Sequence, residues 1–443
     1  MRYGWQYSNG YSKTKFKIRM DILIKNCRIV DPLSDRDESG VDIEILSGTI
    51  TTIGKNLKSN APFRDLKGAL VAPGFFDMHV HLREPGQEYK ETIKTGTSAA
   101  ASGGFTGICC MPNTDPPISD PFVVSYIRQK AAGNIVDVEI CGTMTKGRKG
   151  EELAPMQALS DAEIKMISDD GSAVASAEVM RKVFEYGKMF DFLCTEHCEE
   201  PTMTAGTCMN EGKVSTRLGM PGYPSVAEDI IVARDILIAE YVGGVRYHVA
   251  HLSTHNAVRI VREAKARGVK VSCEVTPHHF SLTDEAVEIH LSNAKMNPPL
   301  REKEDIQAII EGLQDGTIDC ISTDHAPHAD HEKETDMISA AFGIIGCETA
   351  IALGLTNLVH AGKLSLKKYI EVSSSNPRKL MKLSPIQIAE GEKANLTIID
   401  LDKEWKFSTT DIFSKSHNTP FIGTNLKGQA IGIVNNNQEW WRQ

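Results

Sequence analysis

Short apolar runs alternate with amphipathic segments through most of the chain, in an order typical of repeated βα units. Eight runs have the length of buried strands, and their sequences are GFFDMHVH, TGICCMPN, VDVEICGTMT, IKMISDDG, FLCTEHCE, RYHVAHLST, VKVSCEVTPHH and DCISTDHAPH. Helical spacing fills the gaps between them. In THNAVRIVREAKARG one face carries apolar Ala257, Val258 and Val261, and Gly268 marks the end. Eight strands with intervening helices predict an α/β fold of the (β/α)8, TIM-like barrel class.

Both ends of the chain have a different, β-rich pattern. It covers DILIKNCRIV, VDIEILSGTITTIG and GALVAPG before the barrel, and ANLTIIDLD, EWKF and GQAIGIVNN after it. We therefore predict a small β-sandwich domain formed from both termini, residues 20–73 and 385–443, beside a barrel domain of residues 74–384. Residues 1–19 carry five basic and no acidic side chains and little periodicity, and we interpret them as a flexible N-terminal extension.

Composition narrows the class of protein further. The net charge of −9 argues against binding nucleic acid through a basic surface. No apolar run reaches the roughly 18 residues that a membrane span requires, and residues 1–19 lack the apolar core of a secretory signal. The ten cysteines are scattered without a CxxC pair, so we expect reduced thiols in a cytoplasmic protein.

Polar residues stand at the carboxyl ends of the predicted strands, where a barrel of this class places its chemistry. They are His79, His81, Asn113, Asp169, Asp170, His197, His251, His278, His279, Asp324 and His328. Because side chains alternate along a strand, His79, His81 and Arg83 share one face, and at most one of the two adjacent aspartates points inward. Imidazole and carboxylate groups suit zinc, and paired ions need a bridging oxygen ligand. The pattern predicts a metal centre at the barrel mouth.

Some of these residues also have plain structural interpretations. In isolation Asn113 and the DDG sequence fit turns, and His278 and His279 fit hydrogen-bonded supports. Arg301, in NPPLR, fits a surface residue or a loop anchor. The polar segment ADHEKETDMISAAFG fits either a lid over the barrel mouth or a solvated helix and loop.

A set of motifs in chain order resembles one known family. The motifs are DMHVHLREPG, MPNT, SDDG, TEH, VAHLST, CEVTPHH, NPPLR, STDHAPH and FGIIGCET. Together they resemble the class I dihydroorotases of the amidohydrolase superfamily, from about Asp21 to the segment GEKANLTIIDLD. The family fold is a (β/α)8 barrel with a β-sandwich from both termini, in agreement with the pattern described above.

The resemblance implies a centre of one or two zinc ions per chain. It makes His79, His81 and Asp324 the ligands of one ion. It assigns His197 and His251 to the second ion, with Asp170 between the two. Asp170 is preferred to Asp169 on the family spacing to His197. Many superfamily members use a carboxylated lysine as the bridge, whereas Lys165 lies earlier in its strand here, further from the metals.

The resemblance also implies an enzyme, a hydrolase of a cyclic amide. The reaction is the reversible cyclisation of N-carbamoyl-L-aspartate to L-dihydroorotate in de novo pyrimidine biosynthesis. Asp324 is then the general acid and base, and Arg83 offers a planar fork for the carboxylate that does not react. The implied substrate contacts are His81, Arg83, Asn113 and His328 towards the carboxylate end, and Asn297 with the Phe342–Gly343 backbone towards the ring amides.

Two alternatives remain open. An allantoinase or hydantoinase would share the metal ligands, but such enzymes generally lack an arginine like Arg83 and the second histidine of DHAPH. A catalytically silent scaffold for aspartate transcarbamoylase would be expected to lose metal ligands, which this chain keeps. We expect a homodimer, and an association with aspartate transcarbamoylase is a further expectation.

Overall fold

The computed structural model describes residues 20–443, and the predicted extension, residues 1–19, lies outside that range. The strands are β1 (Ile22–Asp31), β2 (Arg36–Leu46), β3 (Thr49–Gly54), β4 (Phe63–Asp65), β5 (Leu70–Pro73), β6 (Phe75–Val80), β7 (Phe105–Cys110), β8 (Asp137–Gly142), β9 (Met166–Ser168), β10 (Leu193–Glu196), β11 (Met209–Asn210), β12 (Gly222–Tyr223), β13 (Arg246–Val249), β14 (Val271–Val275), β15 (Cys320–Ile321), β16 (Leu396–Lys406), β17 (Asn425–Asn435) and β18 (Gln438–Trp441).

Helices connect these strands through the middle of the chain. They are α1 (Ile93–Gly103), α2 (Pro121–Ala131), α3 (Met156–Asp161), α4 (Ala177–Met189), α5 (Pro201–Thr204), α6 (Lys213–Leu218), α7 (Val226–Val242), α8 (His255–Ala266), α9 (Ala286–His290), α10 (Lys303–Asp315), α11 (Asp330–Lys333), α12 (Cys347–Gly354), α13 (Leu366–Ile370) and α14 (Asn376–Leu380). Within residues 20–443, no helix combines the length and the apolar character needed to cross a bilayer.

Eight parallel strands form the barrel, in the order β6, β7, β8, β9, β10, β13, β14 and β15. Seven of them fall within the runs identified in the sequence and β7 begins one residue before its run, so the predicted barrel is confirmed. A parallel bridge between Val80 and His325 joins the first strand to the last, and the His81 amide donates to the His325 carbonyl at 2.9 Å. This contact brings the two ends of the sheet together and closes the ring.

Local sequence explains the barrel elements. Every residue of β6 is buried, as expected for a parallel strand that is covered on both faces. Helix α8 begins after Thr254, whose hydroxyl accepts from the Ala257 amide, and its buried face includes the predicted Val258 and Val261. The chain then leaves the helix before Gly268, which has a φ of +84°.

Strands from both termini form a second sheet of eight strands. Its order is β18, β17, β16, β5, β1, β2 and β3, with β4 beside β1. The C-terminal strand β16 pairs antiparallel with β5, so the two ends of the chain are joined by backbone hydrogen bonds. Ile24, Ile29, Ile43 and Leu396 are fully buried in its core. The β domain from both termini is thus observed, while the exact domain bounds given above stay predictions.

The interior of the barrel below its mouth is apolar. One buried cluster comprises Phe76, Met78, Cys109, Met111, Cys141, Met166, Leu193, Cys320 and Met381. Three of these residues lie four positions before polar residues of the mouth: Met166 before Asp170, Leu193 before His197 and Cys320 before Asp324. Residues four apart share a strand face, so this cluster fills the barrel directly beneath the predicted metal centre.

Candidate metal centre and substrate pocket

The carboxylate of Asp170 lies at the centre of the predicted histidine ligands. Its Oδ1 is 3.3 Å from His79 Nε2 and 3.4 Å from His251 Nε2, and its Oδ2 is 3.4 Å from His81 Nε2. His197 Nδ1 is 3.9 Å from Oδ1 and 3.0 Å from His251 Nε2. Side chains from four strand ends therefore meet around one carboxylate whose two oxygens face different histidines.

Asp324 faces the same group from the end of β15. Its Oδ1 lies 2.9 Å from His81 Nε2 and 3.6 Å from His79 Nε2. Asp324, His251 and Arg83 have φ values of +47°, +27° and +60°, a region that residues other than glycine rarely adopt. Backbone of this kind persists where surrounding contacts enforce it, and here it accompanies side chains turned into one pocket.

Strand alternation separates the two adjacent aspartates. Asp169 accepts hydrogen bonds from the amides of Met144 at 2.9 Å and Thr145 at 3.1 Å, and from the Thr145 hydroxyl. Its carboxylate is therefore used in holding the chain after β8, and only Asp170 faces the histidines. Lys165 lies on the outside of the barrel, where its Nζ is 3.8 Å from the Glu139 carboxylate.

The donor set fits divalent metal ions. Two groups, His79 with His81 and Asp170, and Asp170 with His197 and His251, each bring their donor atoms within 4.8 Å of one another. Among the described residues, His79 Nε2 and Asp170 Oδ1 are buried without a hydrogen-bond partner although they face each other. Unsatisfied buried atoms are costly, and imidazole nitrogens with a shared carboxylate are zinc-type ligands.

A buried glutamate that the sequence analysis missed holds His79. Glu274 Oε1 lies 2.6 Å from His79 Nδ1, and Ser322 Oγ donates to Oε2 at 2.7 Å. His248 Nε2 is 3.4 Å from the same Oε2. An ionised carboxylate only accepts, so it fixes the proton on Nδ1 and leaves Nε2 of His79 free to bind a metal. The available signal was a lone carboxylate inside the apolar strand β14.

The charges of the centre shift its pKa values. Burial favours a neutral His79, but the Asp170 and Glu274 carboxylates outweigh it and raise the pKa of this histidine. Burial lowers the pKa of His81. Burial would raise the pKa of Asp324, but the hydrogen bond with His81 and the charges of nearby histidines lower this pKa. The pKa of Asp170 is lowered in the same way, because the histidines around it outweigh the effect of burial. Both aspartates are therefore anionic at neutral pH.

A cavity of about 220 Å³ opens beside the metal centre. Its lining includes every residue predicted to contact substrate: His81, Arg83, Asn113, Asn297, His328, Phe342 and Gly343. The sequence thus identified residues that are far apart in the chain and line one cavity. Asp170, His197, His251 and Asp324 line the same cavity, so a bound molecule would lie against the donor cluster.

The part of the cavity that is predicted to bind a carboxylate is built around Arg83. The side chain is buried, its Nε donates to the Pro327 carbonyl at 3.2 Å, and its Nη2 lies 3.3 Å from His328 Nε2. Burial and the Arg83 charge lower the pKa of His328 to about 2, so this imidazole is neutral and accepts from the guanidinium. Asn113 Oδ1 lies 2.7 Å from His81 Nδ1, which links this side to the metal centre.

Glu199 is a second carboxylate that the sequence analysis missed. Its Oε2 lies 2.8 Å from His197 Nε2, which leaves Nδ1 of that histidine facing Asp170. Asn297 Nδ2 donates to the same oxygen at 2.8 Å. Burial alone would raise the pKa of Glu199, but the His197 contact lowers it to about 2. The predicted ring contact Asn297 therefore also supports a predicted metal ligand.

The structure decides two minor predictions. Of the two interpretations of Arg301, the anchor is confirmed, because the side chain is buried and donates to Ser253 Oγ at 3.0 Å and to Asn210 Oδ1 at 2.9 Å. His279 is a support as predicted, with Nε2 donating to the Pro298 carbonyl at 3.0 Å. His278 is not, because its Nε2 is buried without a partner among the described residues, and burial lowers its pKa to about 4.

Comparisons with known proteins agree with this site. A family model described as Dihydro-orotase-like matches residues 68–257. A curated dihydroorotase of Chlorobaculum tepidum is 48% identical over 435 residues, covering 95% of this chain and 99% of that protein. A dihydroorotase of Trichlorobacter lovleyi is 46% identical over 421 residues, covering 94% and 98%.

Solved structures give the same architecture. The L-hydantoinase from Arthrobacter aurescens superimposes with a TM-score of 0.83 at 25% identity and covers 95% of this chain and 96% of its own. The dihydropyrimidinase from Brevibacillus agri gives a TM-score of 0.82 at 22% identity, which supports the fold, and covers 96% and 95%. The barrel, the donor cluster at its mouth and these relatives define a hydrolase that acts on cyclic amides. Within that class, identity across nearly the whole length shows that the chain belongs to the dihydroorotase family.

Proposed function

We propose that this chain is a zinc-dependent dihydroorotase that interconverts N-carbamoyl-L-aspartate and L-dihydroorotate in pyrimidine biosynthesis. One observation carries the proposal: a single cavity is lined both by the Asp170-centred donor cluster and by buried Arg83 with neutral His328. A cyclic amide with a carboxylate substituent matches both groups at once.

The proposed zinc ligands are those that surround Asp170. His79, His81 and Asp324 would hold one ion and His197 and His251 the other, with Asp170 between them, supported by the distances given above. Bound zinc would polarise the amide carbonyl and lower the pKa of a water molecule towards neutrality. Glu274 and Glu199 would keep the histidines oriented towards the ions.

Asp324 is the proposed proton carrier. It borders the cavity and is anionic at neutral pH, so a carboxylate oxygen can accept the proton of the attacking water. The same oxygen then delivers that proton to the ring nitrogen as the amide bond breaks. In the direction of cyclisation the steps reverse, and Asp324 takes a proton from the carbamoyl nitrogen.

The remaining lining residues would orient the substrate. Arg83, with His328 and Asn113, is proposed to bind the carboxylate that does not react, because a guanidinium pairs with it in two parallel hydrogen bonds. Asn297 and the backbone at Phe342–Gly343 would meet the ring amides on the opposite wall. His81 contacts both the metal side and Asn113, so it borders both regions.

A hydantoinase activity is the second candidate, favoured by the folds of the structural neighbours. Metal analysis combined with assays on L-dihydroorotate, allantoin and hydantoin tests the choice. We expect turnover of L-dihydroorotate by the metal-replete protein. Turnover of only the other substrates would refute the proposal, and bound metal without any turnover would favour the scaffold alternative.

The predicted homodimer, the association with aspartate transcarbamoylase and the cytoplasmic location rest on the family resemblance and the cysteine usage. Light scattering of the purified protein, alone and mixed with aspartate transcarbamoylase, tests the first two. A mass of one chain, unchanged by the mixture, would contradict both.

A further inference from the structure

Two buried lysines lie behind the cavity wall that carries Phe342 and Gly343. Lys295 is 2% exposed and Lys333 is 4% exposed. Lys295 Nζ donates to the carbonyls of residues 337, 338 and 340 at 2.9, 2.9 and 2.6 Å. Lys333 Nζ donates to the carbonyls of residues 295, 341 and 343 at 3.2, 2.8 and 3.0 Å. Five of the six bonds therefore end on carbonyls of one segment, residues 337–343, and the sixth joins Lys333 to the Lys295 carbonyl.

Charge pairing does not explain this arrangement. Among residues 20–443, no carboxylate oxygen lies within 4 Å of either Nζ, and Glu332, beside Lys333 in the chain, pairs with Lys90 at 2.8 Å instead. Buried lysines are uncommon without a carboxylate partner, since burial penalises their charge. What matches here is the donor count: an ammonium has three N–H groups, and each lysine has three carbonyl acceptors.

One of the six bonds, from Lys333 to the Gly343 carbonyl, ends on a residue that lines the substrate cavity. Gly343 donates its amide to the Lys295 carbonyl at 3.0 Å, and its own carbonyl accepts from Lys333 and from Asn418 Nδ2 at 3.0 Å. Lys295 Nζ lies 4.2 Å from the centre of the Phe342 ring. Gly343 has a φ of +124°, and a Cβ there would lie 2.7 Å from that of Ala326, so the wall has little freedom.

We propose that Lys295 and Lys333 are positioning residues that hold the Phe342–Gly343 segment rigid, so that this part of the cavity wall meets the substrate ring at a fixed position. The inference rests on the proposed function, because it concerns binding of the same ring. It also argues against the lid interpretation of the segment after His328, because the part of that segment nearest the cavity is a fixed wall.

The pKa of Lys333 sets the conditions of the test. Burial and the Lys295 charge lower the pKa of Lys333 to about 7, whereas three carbonyl acceptors require the ammonium form. Assays at about pH 6 keep Lys333 protonated in the unmodified protein. Lys295 is affected by burial in the same direction, and its pKa is lowered.

The experiment compares Lys295→Met and Lys333→Met with the exposed control Lys94→Met, all as full-length, zinc-loaded protein. We expect KM for L-dihydroorotate to rise about tenfold in both buried-site variants, with kcat changed less than about threefold and the zinc content unchanged. Amide hydrogen exchange should accelerate within residues 334–343 in those variants only. The control should match the unmodified protein in all readouts.

An arginine variant controls for an effect of the methionine substitutions on folding. Lys333→Arg keeps a charge and several donors, and we expect KM between those of the unmodified protein and Lys333→Met. An unchanged KM and unchanged exchange in folded variants would overturn the inference, as would loss of zinc with a fall in kcat. If the unmodified protein fails to turn over L-dihydroorotate, the proposed function fails instead, and hydrogen exchange still decides whether the lysines hold the wall.

Discussion

The upper and lower halves of the barrel interior have opposite chemistry on the same strands. The lower half is packed with methionine, cysteine, leucine and phenylalanine, whereas the upper half buries histidines and carboxylates that contact one another. Along β9 and the residues that follow it, the change from apolar to polar side chains occurs within four positions, from Met166 to Asp170. One half contributes packing, and the other half places donors, so substitutions in the two halves should separate stability from activity.

The halves also differ in how strictly each residue depends on its neighbours. Met166 and Cys320 contact a flexible, sulfur-rich cluster that can adjust to small changes of shape. His79 depends on Glu274 on one nitrogen and faces Asp170 with the other, so neither partner can be changed alone. In a polar network, a substitution that removes one partner leaves the other polar groups without their hydrogen bonds. An apolar cluster can repack around a substitution of similar volume and loses less stability.

The largest expected effect is on catalysis, from Asp324→Asn in the upper half. This variant keeps the shape of the side chain but removes the proton acceptor, and kcat should fall by up to ~10⁴-fold. Steady-state kinetics and metal analysis, with thermal unfolding as a control, measure it. Near-normal kcat would refute the role of Asp324 in proton transfer.

In the lower half, Met166→Ala should instead reduce stability. The side chain is fully buried, so truncation leaves a cavity and should cost about 2–5 kcal/mol of unfolding free energy. We expect kcat and zinc content per folded molecule to stay within about twofold of the unmodified protein. Denaturant unfolding checks the first outcome, and a large loss of kcat in folded protein would show that the halves are coupled.

Glu274→Gln tests the connection between the halves, since this residue supports His79 from below. Loss of the anionic acceptor should weaken zinc binding about 10–100-fold. Competition with a chelator measures that affinity. Glu139→Gln is the matched control, because Glu139 is a carboxylate of the barrel strand β8 that pairs with Lys165. Equal zinc affinity in both variants would contradict the orienting role.

Arg83→Ala separates the substrate side of the upper half from its metal side. Removing a charge-assisted pair should raise KM for L-dihydroorotate about 10–100-fold, while zinc stays bound. Kinetics and metal analysis on the same sample are needed. Loss of zinc from this variant would count against a role in binding the substrate carboxylate.

The smallest effect is expected from Met166→Leu, which conserves volume in the lower half. It should change the unfolding free energy by less than about 1.5 kcal/mol and leave kinetics unaffected. A larger loss of stability would show that the apolar cluster is as strictly matched as the polar network above it.

Sequence patterns identified the barrel and its mouth because they repeat along the chain. Candidate polar residues lie at the carboxyl ends of seven of the eight predicted strands, and parallel strands align those ends. The missed residues depend on contacts between distant positions. Glu274 meets His79 across 195 positions, and that pairing appears only when the ring of strands closes.

Other residues were missed because burial, not residue type, defines them. Arginine and lysine are residue types usually found at the surface, so residue type did not indicate that Lys333 is buried or decide that Arg301 is an anchor. Their hydrogen-bond partners, Ser253, Asn210 and backbone carbonyls, are not marked by any periodic pattern in the sequence. Strand alternation, in contrast, predicted that at most one of Asp169 and Asp170 points inward, and the family spacing to His197 selected Asp170. Short-range geometry was therefore predictable, and loop packing was not.

The pairing of β5 with β16 has a consequence for synthesis of the chain. Strand β5 ends at Pro73, and only Gly74 separates it from β6, the first strand of the barrel. The partner of β5, strand β16, begins only at Leu396. The Phe75 amide at the start of β6 also donates to the Thr397 hydroxyl at 3.0 Å. A ribosome must therefore translate more than 320 further residues before the first barrel strand meets this neighbour. Until then the nascent chain exposes a strand edge that chaperones would have to shield.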